Sequence, residues 1–277
     1  MNDPKWRKMK KKQAGEIEAL LRSYERFCMN ACSRYINRAS MGSSIWTLSG
    51  NGNGIEAIII HSRNSLYPVF AEYGKIPPLH FFSGVFGMPH IHSVQGRIRD
   101  SAMLEAEMEK AGRTAAEKID YDLMCIDRKP SNYQYAGPAN LIIRRPEASD
   151  LDSVAALHAE YEKEEVISAA SRFDKAVSRL NTERIFKTER MLVAELDGRL
   201  IGKINTNAVT YTRSQIGGVY VYPEYRGLGV ARRMTGEFTA SLAGGVSLFV
   251  RRSNAIARSV YSRIGFAISG DYRISYY

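Results

Sequence analysis

The sequence predicts a mixed α/β fold, α+β in the detail of its sheet, with helices packed on both faces. Three observations carry that prediction. Beyond residue 140 the hydrophobic pattern alternates between strand-like and helix-like periods. The runs Arg190 to Leu196 and Arg199 to Asn207 are joined by Asp197-Gly198, the signature of a tight primed hairpin turn. The run Ile216 to Val221 stops at Pro223, turns through a glycine-containing loop and feeds a helix from Val230 to Ala243. A strand, a small-residue loop and a helix in that order leave free N–H groups at a helix start.

The 277 residues suffice for one large domain or two ordinary ones. A composition 44% hydrophobic and 25% charged is that of a soluble globular protein. No apolar run approaches the roughly 18–20 residues that span a bilayer, and Met1 to Lys12 is basic with no apolar stretch behind it, unlike a signal peptide. A cytoplasmic protein without membrane partners is therefore expected. Three cysteines make no disulfide framework. Cys28 and Cys32, four residues apart, read as small buried helix residues rather than a metal or redox pair. The net charge of +10 is concentrated at the start, where Lys5, Arg7, Lys8, Lys10, Lys11 and Lys12 face only Asp3. Without an aromatic platform or a recognisable nucleic-acid module, this tail reads as a solvated segment, and nucleic acid is not an expected partner.

Gly15 to Arg38 reads as one helix, with Ile17, Leu20, Leu21, Tyr24, Phe27, Cys28 and Ala31 on its apolar side. Ser44–Leu48 and Ile55–His61 read as a hairpin around a Gly-Asn-Gly turn. Ser65 to Phe70 adds a third strand, which Pro68 should push to an edge. From Gly74 to Gly96 the chain is rich in proline, glycine and aromatics; His80, His90 and His92 lack a carboxylate or cysteine at ligand spacing, so no metal is expected there. Asp100 to Gly112 is a helix and Tyr121 to Ile126 a strand. Asp127 to Asn140 has linker composition. Two domains follow: 1–137, an N-terminal α/β domain, and 138–277.

Within 138–277, Leu141 to Arg145 is a strand and Asp150 to Glu160 a helix capped by Ser149 or Asp150. Phe173 to Phe186 is a second helix, with Phe173, Ala176, Val177, Leu180 and Ile185 as its buried stripe. The hairpin and Ile216 to Val221 make three antiparallel strands. After the helix at Val230, Val246 to Val250 is a buried strand, Ala255 to Ile264 a helix, and Phe266 to Ser275 a final pair of strands.

The loop carries the chemistry. Gly227 and Gly229 permit tight turns and leave the amides of Leu228, Gly229, Val230 and Ala231 unshielded, so they can cradle two phosphates at a helix N-terminus, with Arg226 adding positive charge at the rim. The stretch from Val219 to Ala231 resembles the acyl-CoA signature of the GNAT superfamily of N-acetyltransferases, Arg/Gln-x-x-Gly-x-Gly/Ala. A second segment, Asn254, Ala257, Tyr261 and Gly265-Phe266, is similar to that family's Asn-x-x-Ala-x-x-x-Tyr-x-x-x-Gly-Phe motif. Two motifs in order, separated by one helix and one strand, are far more specific than a lone glycine loop. The resemblance covers about Leu141 to Tyr277.

It implies an acyl-CoA N-acyltransferase-like fold in the C-terminal domain, with acetyl-CoA as co-substrate and no metal. The strand before the loop would splay from the next one, letting backbone groups of Val219 and Val221 pair with the pantetheine arm and polarise the thioester carbonyl. Tyr261 would protonate the departing thiolate, its phenol lying above a thiol in pKa. Asn254 would bind cofactor or cap its helix. An amine would attack the thioester directly, without a covalent enzyme intermediate. The base stays open, since Thr210 to Val221 has no acidic residue: Glu162, Glu164, Glu165, His158, Glu195, the Tyr277 carboxylate and a water chain are the candidates.

The N-terminal half shows the same coarse order of elements and reads as a degenerate GNAT-like domain. Val94 to Asp100 lacks the second small residue of a phosphate loop, so no cofactor is expected there. The rival to an N-acetyltransferase is a non-catalytic acyl-CoA-binding sensory module. The acceptor amine and the oligomeric state are not legible.

Overall fold

The computed structural model describes residues 6–49, 54–71, 91–130, 137–167 and 172–277. The chain divides into two compact units, Met1–Asp122 with Gly270–Tyr277, and Leu123–Ser269. The expected division at 137/138 differs in two places: 123–137 falls in the second unit, and the last eight residues fall in the first.

In the first unit, α1 (Ala14–Ser23) and α2 (Met29–Ile36) stand where one helix was expected. The break falls at a tertiary tether. The Tyr24 N–H is shared among carbonyls at the end of α1, and the Tyr24 hydroxyl donates to the Ala71 carbonyl at 2.7 Å. Tethering that ring takes the chain off the helical path. Cys28 precedes α2 with its sulfur 3.6 Å from that of Cys32, both buried.

The strands β1 (Arg7–Lys8), β2 (Ser44–Ser49), β3 (Ile55–Ser62), β4 (Ser65–Phe70) and β5 (Ser93–Gly96) follow one another in space. The predicted edge position for Pro68 is not found: β4 lies between β3 and β5. Its parallel pairing to β5 ends at Leu66, before Pro68, so the missing N–H breaks no ladder on that side. The Gly50 turn, His80, His90 and the segment 131–136 of the expected linker lie outside the described residues.

α3 (Ile98–Lys110) follows β5 directly, and β6 (Glu117–Ile126) crosses the division at Asp122. The final element is one strand, β12 (Ala267–Tyr276), and not a pair. Gly270-Asp271 stays extended because its partners hold it straight: Arg273 grips Asp120 at 2.6 and 2.9 Å, Ser275 donates to Glu105 at 2.7 Å, and residues 273–276 pair with β5. At the start of α3, the Asp271 carboxylate accepts from the Ile98 N–H at 3.1 Å, and Asp100 lies in the first turn. Protein carboxylates thus occupy the helix end that a phosphate would use in a cofactor-binding copy.

In the second unit the strands run β6-β11-β10-β9-β8-β7, with β7 (Ile142–Arg144), β8 (Met191–Leu196), β9 (Arg199–Val209), β10 (Arg213–Val221) and β11 (Gly245–Arg251). The β8–β9 hairpin turns as its sequence requires, Asp197 and Gly198 both having positive φ, 51° and 78°. The helices are α4 (Leu151–Tyr161), α5 (Lys175–Thr188), α6 (Val230–Ser241) and α7 (Ala255–Ile264). One face of the sheet packs Ile204, Ile216 and Leu248 with Met234 and Phe238 of α6 and Tyr261 and Ile264 of α7. A second cluster joins Val154 and Leu157 of α4 to Ile185, Val193 and Tyr220. Each such side chain contributes on the order of 1.5–3 kcal/mol on burial.

The predicted stripe of α5 is rotated. Val177 and Leu180 are 53% and 66% exposed, while Ser178, Thr182 and Ile185 face inward. Small residues on that face let α5 approach closely, and the Thr182 hydroxyl is satisfied by the Ser178 carbonyl at 2.9 Å. Among the described residues no helix is long and apolar enough to cross a membrane, and no group of three or more His, Cys, Asp or Glu could hold a metal.

β7 is tied to α4 by Arg144, which reaches Asp150 at 2.6 and 3.0 Å and Glu195 at 2.7 Å. The hydrogen bonds from Arg144 hold the Asp150 carboxyl below the usual carboxylate range. A depressed pKa stabilises the fold above the unfolded value of about 3.9 and ceases to do so as pH falls through the folded value. Asp150→Asn is expected to cost about 1–3 kcal/mol at pH 7, with the gap to wild type closing below about pH 4. Urea melts at pH 7 and pH 3 check this, and an equal cost at both would refute the assignment.

Candidate active site

β10 and β11 run parallel but pair only from Arg213↔Gly245 to Ile216↔Leu248. Both continue, to Val221 and Arg251, without further pairing to each other. On its other edge β10 stays with β9 as far as Val221↔Gly202, through a bulge between Gly217 and Tyr220 that contains Gly218 and Val219. The expected splay is therefore present, and Val219 and Val221 lie in it. Val221 and the partly buried Val219 also pack in the core through their side chains, which leaves the role of their backbone groups a separate question.

The splay opens at the loop. Pro223–Tyr225 make a 3-10 turn, Gly227 and Gly229 have φ of 79° and 82°, and Gly229 is the N-cap of α6. No side chain caps this helix and its first turn holds no acidic residue. The positive end of the α6 dipole and its first N–H groups, from Leu228 through Val230 and Ala231, could therefore receive an anion. Arg226 bends back. Its Nε donates to the Val221 carbonyl at 3.0 Å, its Nη2 meets Glu164 at 2.7 Å, and its guanidinium lies 5.4 Å from the Tyr220 ring centre.

Asn254 is the N-cap of α7, accepting from the Ala257 N–H at 2.9 Å; its Nδ2 also donates to Glu165 at 3.3 Å. At the other end Gly265, φ 113°, terminates the helix, and the Phe266 N–H returns to the Tyr261 carbonyl at 3.1 Å. The motif spacing Asn254…Tyr261…Gly265-Phe266 is thus that of a helix capped at both ends. The Tyr261 ring packs edge-on against Phe266, with centroids 6.2 Å apart, and is 8% exposed. Burial, followed by the fields of Tyr161 and Glu165, pushes its phenol well above 10.

Sequence reasoning missed the turn that joins the two motifs. After α4 the chain makes a single π-helical turn, Glu162–Val166, a deviation often found at functional sites. It sends Glu164 to Arg226 of the first motif and Glu165 to Asn254 of the second. Arg251 donates to the Glu165 carbonyl at 2.6 Å. Burial raises the Glu165 carboxyl above its ordinary value despite the nearby guanidinium. His158 and Glu162 form a pair at 3.2 Å. Burial holds the imidazole below its usual pKa, and hydrogen bonds outweigh burial to keep Glu162 below its own, so a neutral ring donates to a carboxylate. Glu195 is engaged by Arg144. Of the remaining base candidates, Tyr277 belongs to the first unit.

Also missed was Lys203. It is fully buried in β9, donating to the Gly218 carbonyl at 3.0 Å and to Asn205 Oδ1 at 3.1 Å, with its nitrogen 4.8 Å from the Tyr161 ring centre. Burial lowers its pKa to about 7. The available signal was a lysine inside the apolar run Leu200-Ile201-Gly202-Lys203-Ile204.

A sheet split between parallel strands, with an uncapped helix N-terminus at the split, is the architecture of an acyl-CoA N-acyltransferase-like domain. Residues 154–266 match the model of the Acetyltransferase (GNAT) family, so this stretch is a GNAT domain. No curated protein matches the chain. Solved structures are similar in fold over its whole length. A Drosophila malonogaster protein is 15% identical, with 99% of each chain covered and a TM-score of 0.65. A GCN5-related N-acetyltransferase from Sphaerobacter thermophilus is 18% identical, covering 99% of this chain and 95% of that one, at 0.60. A tandem GNAT protein from the clavulanic acid biosynthesis pathway is 11% identical, covering 99% and 98%, at 0.59. The N-terminal half thus also matches a tandem GNAT fold.

Proposed function

We propose that the chain is an acetyl-CoA-dependent N-acetyltransferase whose active site lies in the Leu123–Ser269 unit. The observation that carries this reading is the uncapped N-terminus of α6, bearing Gly227 and Gly229, at the mouth of the β10–β11 splay. The pyrophosphate binds the amides of 228–231, with Arg226 swinging from Glu164 to its rim. The pantetheine arm adds to the free edge of β10 through backbone groups of Val219 and Val221. Asn254 holds α7 and the cofactor's flank, and Tyr261 protonates the thiolate as the amine displaces it. Calorimetry with acetyl-CoA, and acetyl transfer to a panel of primary amines, test the whole. Binding without transfer to any amine would make the chain the sensory module instead; no binding at all would end both readings.

Glu165 is the proposed base. Its raised pKa makes it a stronger proton acceptor than Glu162, whose pKa is lowered, and its contact with Asn254 holds it against α7, where Glu164 has no such tie. A carboxylate works as a base only when deprotonated, so activity should fall on the acid side as pH drops through this raised value. Glu165→Gln is expected to lower kcat/KM about 10²-fold at neutral pH and to abolish that acid limb. A pH–rate profile with the limb intact would return the role to a water chain or to an amine that arrives already neutral.

A further inference from the structure

Lys203 does something specific at the bulge of β10. Its amine grips the carbonyl of Gly218, and only glycine fits there. Gly218 has φ of 59°, and a Cβ on it would lie 2.6 Å from Lys203 Nζ and 2.2 Å from Asn205 Oδ1. The bulge residue and the lysine are therefore matched: a side chain at 218 would collide with the amine and with Asn205. The pairing of β10 with β9 skips Gly218 and Val219, and its pairing with β11 has already ended at Ile216. In a trans peptide the C=O and the N–H of the same plane point in opposite directions. With the Gly218 carbonyl turned onto Lys203, the N–H of that peptide, carried by Val219, points away from the lysine.

We propose that Lys203 is a positioning residue that fixes and polarises the Gly218–Val219 peptide, so that the Val219 N–H is a stronger and correctly aimed donor to the thioester carbonyl as it becomes an oxyanion. A donor on the carbonyl of a peptide strengthens the hydrogen bond its N–H makes, because the group polarises as a unit. Such preorganised donors act most strongly in a site shielded from water. Lys203 itself touches neither substrate nor cofactor in this account. Its Nζ is enclosed by Gly218, Asn205 and the ring of Tyr161 from α4. The inference rests on the acetyltransferase reading above, and the test separates the two.

Isotope-edited infrared spectroscopy of [1-13C]acetyl-CoA bound to the full chain reads the polarisation directly and needs no acceptor amine. The wild type is expected to shift the thioester carbonyl stretch to lower frequency. Lys203→Met should lose that shift while binding acetyl-CoA within about threefold of wild type, and its kcat toward an amine that the wild type acetylates should fall about 10- to 100-fold. Lys203→Gln keeps a weaker, uncharged N–H donor and replaces the Met variant if that one melts below the assay temperature; it should lose part of the shift. Retention of the full shift by whichever variant folds overturns the role of Lys203, with the acetyltransferase reading intact. Failure of the wild type to bind acetyl-CoA overturns that reading, and the inference with it.

Discussion

Tyr261→Phe is expected to lower kcat by about 10²- to 10³-fold while leaving acetyl-CoA affinity within about twofold, because only the proton donated to the leaving thiolate is lost. The ring packs against Phe266 and phenylalanine keeps that contact, so folding should be nearly unchanged. The raised pKa of the phenol adds a sign. From sequence the phenol was placed at its ordinary value, near 10, where it would begin to ionise in mildly alkaline assays. Buried beside Glu165 and Tyr161 it holds its proton to higher pH. The proposed acid is therefore protonated throughout the neutral range, and no alkaline limb below about pH 10 should come from it. Steady-state rates from pH 6 to 10 with wild type and variant, alongside calorimetry, test both parts. A Phe variant as fast as wild type would leave Tyr261 as a core residue only and pass the proton to water.

The elements legible in the sequence are those whose signal is local. Asp197-Gly198 specifies its own turn. Asn254 and Gly265 cap their own helix, and α7 runs over the expected residues Ala255–Ile264. The misreadings come from tertiary context. Nothing in Gly15 to Arg38 says that Tyr24 will be tethered to Ala71, so the single helix splits unannounced. Val177 and Leu180 satisfy the period of an apolar stripe, but close packing of α5 selects the smaller Ser178 and Thr182 for the inner face. Pro68 suggests an edge only if its other side must be paired, and the β4–β5 pairing has already ended at Leu66↔Val94. In the site, the two motifs were readable because glycine and capping patterns are written in consecutive residues. Glu162, Glu164 and Glu165 could be named as base candidates, but the way their turn joins the two motifs, and Lys203 altogether, could not be read, since their meaning lies in the partners that the fold brings: Arg226 from 62 residues away, Asn254 from 89, and Gly218 from 15.

Gly229→Ala is expected to weaken acetyl-CoA binding about 10- to 100-fold, the loss of one hydrogen bond to a charged phosphate at about 1.5–3 kcal/mol. Gly229 sits at φ 82° as the N-cap of α6. An alanine there carries about 1–2 kcal/mol of backbone strain, and it is a poorer N-cap than glycine. The strain can be relieved only by turning the peptide planes that aim the first amides at the ligand. The melting temperature should therefore drop by a few degrees, and the affinity loss should follow the pyrophosphate rather than the acyl end. Acetyl-pantetheine, which has the thioester and the arm but no pyrophosphate, separates the two: its weaker binding should be nearly the same for wild type and variant. Gly227→Ala offers a companion, since open space surrounds its Cβ and its φ of 79° makes the penalty one of backbone alone. Equal weakening toward acetyl-CoA and acetyl-pantetheine would mean that the glycines shape the splay between β10 and β11 and that the phosphates bind elsewhere.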